Sequence, residues 1–478
     1  MNSTLLPALI GILFHGALSA ATFYVSPQGS DEDQQDGKSL NSAWATLAYA
    51  CDRASENDTI ILTSGKHVAR RVAKVKNGMT IRGTTTKGKS TSQLVANTTW
   101  PLAKDPRTAE SGYIIDCQNV KNVSITNLIL SSPSNHAITG AISVRGSDGI
   151  QLSRLDISHF RWAALRIEHS QNVIVENSSF HNASLEKHGW HNGQIQTRWI
   201  KNSEIRHCRI TSDSGYGYGY KASGHENVQI HHCMIDVKSE FAIESAHENE
   251  YGLAIHHNHL TRCISVPKGG QGANPNDRNF KYSVRIHHNL LEDSYCVEGP
   301  RNHLRIDHNY IRISKPNGRV YTHHGGKNHG PVEIDHNLVT GIDRAFVWMN
   351  EGLAENITVS YNTVTAAEAA DRAGPIFGAW AAERLNDWKV KHNVFVTESG
   401  PPRKIQPERN KVPSKIHLRD NLSYRIEGMP ASNSSLTHSP FLAQGKKPWP
   451  YYQLKDNSTN AGAFADGHDW LKQIPTTP

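Results

Sequence analysis

The chain has 478 residues, more than one ordinary globular domain, yet a length that suits a single elongated fold built by stacking. A hydrophobic content of 37%, with 36 Gly, 21 Pro and a mean hydropathy of -0.54, excludes disorder and favours short strands and polar turns over long amphipathic helices. The net charge of +7 is spread over 51 basic and 44 acidic residues without a like-charge run, which argues against a nucleic-acid-binding tail and leaves room for an anionic partner.

In chain order, Leu5–Phe14 is an apolar run followed by the small-residue stretch Ala17–Ala21. It reads as a secretory signal over 1–21, too short for a comfortable membrane span, and predicts a secreted or periplasmic protein. Residues 22–120 are expected to form an N-terminal cap and the first coils, with a capping helix over Ser42–Ala54. Export permits disulfides. The six cysteines (51, 117, 208, 233, 263 and 296) include no Cys-x-x-Cys pair, which speaks against a zinc ribbon or a thioredoxin-type site and leaves the pairing open.

From 121 to 425 one phrase recurs: Val228-Gln-Ile-His-His-Cys233, Leu253-Ala-Ile-His-His-Asn258, Val284-Arg-Ile-His-His-Asn289, Leu304-Arg-Ile-Asp-His-Asn309, and on to Asn337, Asn362, Asn393 and Asn421. From Cys208 onward the corner Cys/Asn positions are 25, 25, 31, 20, 28, 25, 31 and 28 residues apart, one coil per repeat with loops of variable size. Within the phrase, apolar-x-apolar alternation ending in a polar turn marks a short strand with one buried face. Coils of this length fit three strands and three turns better than a helical crossover. The predicted fold is therefore all-β, a single right-handed parallel β-helix, with the corner Asn residues hydrogen-bonded as a ladder. His207, His232, His257, His288, His308, His336 and His392 all precede a ladder position, which makes them a stacked structural series. Zinc needs ligands converging on a point, and a ladder runs along an axis, so no metal site is predicted. Residues 426–478 are expected to close the solenoid.

Phe23-Tyr-Val-Ser-Pro27, Gly29-Ser-Asp31, Trp44-Ala-Thr-Leu47 and Asp58-Thr-Ile-Ile-Leu62, with the tail Asn460-Ala-Gly-Ala-Phe464, resemble the opening and closing segments of secreted right-handed β-helix carbohydrate enzymes. The resemblance implies a glycan substrate and leaves the reaction open, because lyases, hydrolases and epimerases share this fold; a monomer is expected.

The chemistry is sought in a second strand of each coil, where polar residues interrupt apolar runs: Gln194–Arg198, Tyr218–Lys221, Phe241–Glu244, Tyr295–Glu298, Val320–His324 and Phe346–Trp348. Aligned by eye, these turn Arg198, Lys221 and Glu244 out of consecutive coils as a groove. Two Gly-rich basic loops, Ser265–Arg278 with Lys268 and Thr322–Gly330 with His323 and His324, would wall it. Arg301, His191, Tyr220 and Trp348 complete the expected substrate contacts, the aromatics by stacking on sugar faces. For β-elimination on a uronic-acid polymer, Arg198 would neutralise the sugar carboxylate and Lys221 take the C5 proton, with His188 or His247 relaying the second proton. This is similar to the β-helical polysaccharide lyases, including alginate lyases and chondroitinase B, whose Lys/Arg pair lies on neighbouring coils. His191-Asn-Gly-Gln-Ile-Gln-Thr-Arg198 departs from their Asn-Gly-x-Glu-x-Ile-Arg motif, with Gln for Glu and Thr for Ile. Their calcium cluster has no clear counterpart, although Glu244, Glu248 and Glu250 are candidate Ca²⁺ ligands. The expected activity is thus lysis of an acidic, alginate-like polysaccharide. Alternatives are a glycoside hydrolase using Glu244 and Glu298, two coils apart, and a non-catalytic glycan-binding module.

Overall fold

The computed structural model describes residues 20–102, 112–185, 192–245, 250–266, 283–293, 295–299, 303–314, 318–323, 331–349, 355–366, 374–379, 387–397, 399–405, 416–441, 461–463, 465–466 and 469–475. All but the last two residues of the expected leader 1–21 lie outside this set.

The chain winds as a parallel β-helix with three columns of strands. In one coil, Glu226–His231 supplies the first column, Met234–Val237 the second and Phe241–Ser245 the third. The next coil repeats this with Tyr251–His256, His259–Leu260 and Cys263–Ser265 in parallel register, Val228 opposite Leu253 and Ile230 opposite Ile255. The first two columns merge into one 28-stranded sheet, and the third is a separate 12-stranded sheet. Alternation sends Ile230, Ile255, Ile286, Ile306 and Ile334 inward, one above another and fully buried, to form the axial core.

The expected capping helix is present as Leu47–Arg53. Thr46 is its N-cap, the side chain accepting from the Tyr49 N–H at 3.3 Å, and Leu47, Ala48, Ala50 and Cys51 close the core end. The described cysteines 51, 117, 208, 233 and 263 are buried free thiols. Cys208 and Cys233 occupy the ladder corner in the coils that precede Asn258, their thiols reaching backbone carbonyls.

The corner ladder forms from Asn258 to Asn433. Asn337 shows the pattern: its side-chain amide donates to Ile306 O (2.9 Å), Asp335 O (3.0 Å) and Asn362 Oδ1 (2.9 Å), and its own Oδ1 accepts from the N–H and side-chain amide of Asn309 (3.0 and 2.9 Å). Every such Asn is fully buried from 258 to 421, so each amide is satisfied only by its neighbours.

The residue before each corner adopts positive φ, as at His232 (54°), His257 (56°), His288 (54°), His308 (54°) and His336 (53°). This left-handed region favours Asn, Asp and His among non-glycine residues, and a common backbone pose stacks the rings. His232 lies on His257 at 4.9 Å, His257 on His288 at 5.1 Å, His288 on His308 at 5.2 Å and His308 on His336 at 4.9 Å. A second stack, His231, His256 and His287, runs beside it at 4.8 and 4.9 Å. Burial, then the neighbouring imidazoles, pushes His232 down to about 4 and His256 to about 2; burial, then Arg285, pushes His287 to about 3.

The C-terminal residues do not simply close the last coil. They return along the flank: the Gly462 N–H reaches His392 O, the Ala463 N–H reaches Thr363 Oγ1, Asp466 meets His308, Trp470 packs on His308 and His288, and Gln473 reaches His257. Phe441, Ala461, Ala463, Trp470 and Leu471 bury against Leu338, Val394 and Val396. Burial opposes charge on His308, yet Asp307 and Asp466 together push its imidazole up to about 9.

Two outcomes follow. Asn337→Ala leaves the Asn309 amide and two carbonyls unsatisfied, each at ~1–3 kcal/mol, so the substitution is expected to cost about 3 kcal/mol or more in urea melts, against a much smaller loss for Asn433→Ala at the ladder's end. For the imidazole stacks, the folded values of His232, His256 and His287 lie below the ordinary 6.5. As pH falls below 6.5 the unfolded chain binds protons that the stacked rings refuse, so their contribution is complete above that pH and drains toward the folded values. Melting midpoints should fall between pH 7 and pH 4, and His256→Gln should flatten that slope; a flat profile in the parent would refute the neutral stack.

Candidate functional site

The third column sorts its side chains by parity. Leu165, Ile195, Tyr220, Ile243, Ile264, Val297, Tyr321 and Val347 pair in register along one row and are fully buried. The alternate row runs Arg166, Gln196, Lys221, Glu244, Ser265, Glu298, Thr322 and Trp348. It is the polar face of the coil, and successive members are about 4.8 Å apart along the axis.

Lys221 and Glu244 sit opposite one another in this row and form an ion pair. The Lys221 ammonium also lies 5.3 Å from the centre of the Tyr218 ring, which packs edge-on to Phe241. The pair is nearly closed to solvent, Lys221 being 3% and Glu244 7% exposed. Gly193 makes room for it, since a Cβ there would lie 2.9 Å from the Lys221 Cβ.

Arg198 stands elsewhere. The residue opposite Lys221 is Gln196, and Arg198 pairs with Glu168, two positions farther along the strand. The expected pairing of Arg198 with Lys221 is displaced by two residues, an even shift that keeps Arg198 on the polar face but removes it from direct contact along the row. Its exposed guanidinium lies 3.8 Å from the Trp199 ring, which in turn packs on His169. Lys221, the expected base, is brought against the Glu244 carboxylate rather than beside Arg198.

Tyr220 is corrected too. With Lys221 facing out, its neighbour faces in; the ring is fully buried, burial pushes its phenol well up, and its oxygen accepts from Thr197 Oγ1 at 2.8 Å. Thr197 Oγ1 lies 2.8 Å from His225 Nε2, and His225 Nδ1 lies 2.8 Å from Glu250 Oε2, which also takes the His225 backbone N–H. Ser245 donates to the other Glu250 oxygen. This Tyr–Thr–His–Glu–Ser network locks the interior turn behind the ion pair, and it was missed as a network from the sequence because its members are scattered over 54 positions of chain, 197 to 250. It also commits Glu250, and the ion pair commits Glu244, so the expected calcium set is not assembled among the described residues; Glu248 lies outside them.

Trp348 is 8% exposed, with Arg319 and Arg344 at 5.4 and 4.4 Å from its ring, so guanidinium groups rather than open solvent cover the indole. The backbone of His323 pairs with Gly299 and Met349 in the row beside Thr322. His188, His191, His247, Lys268, Arg301 and His324 lie outside the described residues. Glu298 takes the expected place, in register two rungs from Glu244 with Ser265 between them.

Comparisons with known proteins bear on the scaffold. The family model "Right handed beta helix region" matches residues 113–280, which fixes the hand of the coil as expected. A tailspike protein of E. coli bacteriophage HK620, solved in complex with a hexasaccharide, is similar over 83% of this chain and 76% of its own, at 10% identity and a TM-score of 0.58. The same phage's tailspike in complex with a pentasaccharide gives 83% and 76% coverage, 10% identity and a TM-score of 0.57. At such identity the likeness shows the fold. No curated protein sequence matches significantly.

The buried pair makes a sharp prediction. Lys221→Met strands the Glu244 carboxylate and is expected to cost about 3–5 kcal/mol, whereas Lys221→Met with Glu244→Leu should recover most of that loss in equilibrium melts.

Proposed function

We propose that the polar face of the third column binds a polysaccharide and hydrolyses it, with Glu244 and Glu298 as the carboxylate pair. The observation that carries this reading is their register: one row, two rungs apart, with only the small Ser265 between them. Two rungs are about 10 Å along the backbone, near the upper end of the roughly 6.5–9.5 Å carboxyl separation that leaves room for a water. In this reading Glu244 takes the proton of a water attacking the anomeric carbon, while Glu298 protonates the departing glycosidic oxygen. One water is consumed, one C–O bond forms as another breaks, and the product has inverted configuration. Lys221 positions Glu244.

The saccharide ligands of the structurally similar tailspikes support a glycan as the bound class. The exposed Arg198 guanidinium and Tyr216, 46% exposed at the entry to the Lys221 strand, support an acidic sugar held by charge and stacking. β-Elimination, the expectation from sequence, is less favoured because Lys221 is paired with Glu244 and Arg198 is displaced from its side.

The test is a panel of acidic and neutral polysaccharides, read for new reducing ends, for unsaturated-uronate absorbance and for the anomer first released. Reducing ends with inverted anomers and no such absorbance are expected. Glu244→Gln and Glu298→Gln, checked for folding, should each lower kcat about 10²–10⁴-fold. Unsaturated products would overturn hydrolysis in favour of a lyase, and tight binding without cleavage would make the protein a glycan-binding module.

A further inference from the structure

The outer imidazole stack changes character partway along the axis. At 231–232, 256–257 and 287–288 the ring at the corner finds its partner in the histidine before it, Nδ1 to Nδ1 at 2.8, 2.8 and 2.9 Å. In the next two coils the preceding residue is aspartate. His308 Nδ1 lies 3.0 Å from Asp307 Oδ2, and His336 Nδ1 lies 3.1 Å from Asp335 Oδ2. A carboxylate at Nδ1 holds a proton there and aims Nε2 outward, so that a cation displacing the Nε2 proton meets an oriented ring, the arrangement by which proteins orient metal-binding histidines.

The carboxylates are fixed in turn. Arg285 grips Asp307 through Nε and Nη2 at 2.9 and 2.7 Å, and Arg305 grips Asp335 at 3.0 and 2.6 Å, with both aspartates buried. Two outward Nε2 atoms on adjacent rungs would by themselves be only part of a ladder. The returning C-terminal segment adds a third donor from outside: Asp466 Oδ2 lies 2.8 Å from His308 Nε2 and 3.8 Å from His336 Nε2. All three donor atoms fall within 4.8 Å of one another. Bonds of ~2.0–2.2 Å in tetrahedral geometry place ligand atoms about 3.3 Å apart, so the observed spacings bracket what is needed and a small lean of the two rings completes it.

We propose that His308, His336 and Asp466 bind one divalent transition-metal ion of the zinc class, with water in the fourth position, and that the ion fastens the C-terminal segment to the solenoid. Two imidazoles and one carboxylate suit zinc and its neighbours rather than calcium, which takes six to eight oxygens. Asp307 and Asp335 are positioning residues that orient the rings. Trp470, edge-on to His308 at 5.5 Å, shields one side. The site stands apart from the third-column face and does not rest on the hydrolase reading.

The experiment uses the full chain, stripped with chelator and titrated with Zn²⁺ by calorimetry, with bound metal counted after dialysis. One zinc per chain is expected, with a rise in melting temperature. Asp466→Asn and the double variant His308→Gln with His336→Gln should abolish that equivalent, while His417→Gln, on an exposed histidine elsewhere, should leave it intact. Asp335→Asn should weaken binding about 10–100-fold, an effect that adventitious zinc on surface histidines would not show. Zinc should also slow proteolytic removal of the C-terminal segment in the parent and not in Asp466→Asn. Undiminished zinc binding by the double variant, or none by the parent, would overturn the proposal and leave the cluster an ion pair between His308 and Asp466.

Discussion

The side-chain amide of Asn309 donates to Asn337, that of Asn337 to Asn362, that of Asn362 to Asn393 and that of Asn393 to Asn421. This chain of buried hydrogen bonds makes every coil repeat the backbone of the one before it. A coil that slipped by one residue would lose its amide partners and at the same time turn its core isoleucines to solvent. Register is therefore specified twice, by hydrogen bonding and by burial. Loops between the strands can range widely in length because neither specification passes through them.

A fixed register has a chemical consequence on the third column. Positions that face outward become a straight row with a set spacing, so polar groups far apart in sequence meet as neighbours. Lys221 and Glu244 form their ion pair this way, and Glu244 and Glu298 acquire a defined separation. The same parity that turns Lys221 toward the outer face sends Tyr220 into the core, and there the polar atoms must be satisfied internally. The Thr197, His225, Glu250 and Ser245 side chains do so as a network. The two sets of polar groups lie on opposite sides of one strand.

Much of this was legible from the chain alone. The Ile-x-His-His-Asn phrase carries the strand, the inward face, the corner amide and the stacked imidazoles, because each depends on local alternation and on a repeated backbone pose. Register in the third column was harder. Its strands lack a corner residue to count from, and lining up Arg198 with Lys221 erred by two residues while preserving parity. The returning C-terminal segment left a trace that went unread. Leu338 with Val339, and Val394 with Phe395 and Val396, are apolar on both faces of the second column, where earlier coils carry Ser179 and Arg209 facing out. An apolar outer face needs a cover, and Phe441, Trp470 and Leu471 supply it. Which distant segment would do so is not a local property of the sequence.

The cover also joins the two ends of the argument. Its contacts fall on His257, His288, His308 and His336. Those four coils carry Ser265, Glu298, Thr322 and Trp348 in the polar row of the third column. A solenoid resists sliding between coils through its ladders, but opening at one edge is opposed only by what spans several coils at once. Hydrogen bonds between neighbours act pairwise; the returning segment ties rungs from 257 to 392 to a single stretch of chain. The Glu298 end of the carboxylate pair is therefore braced by this segment, together with the Ser265 rung beside it, while the Glu244 coil is held to them through its ladder.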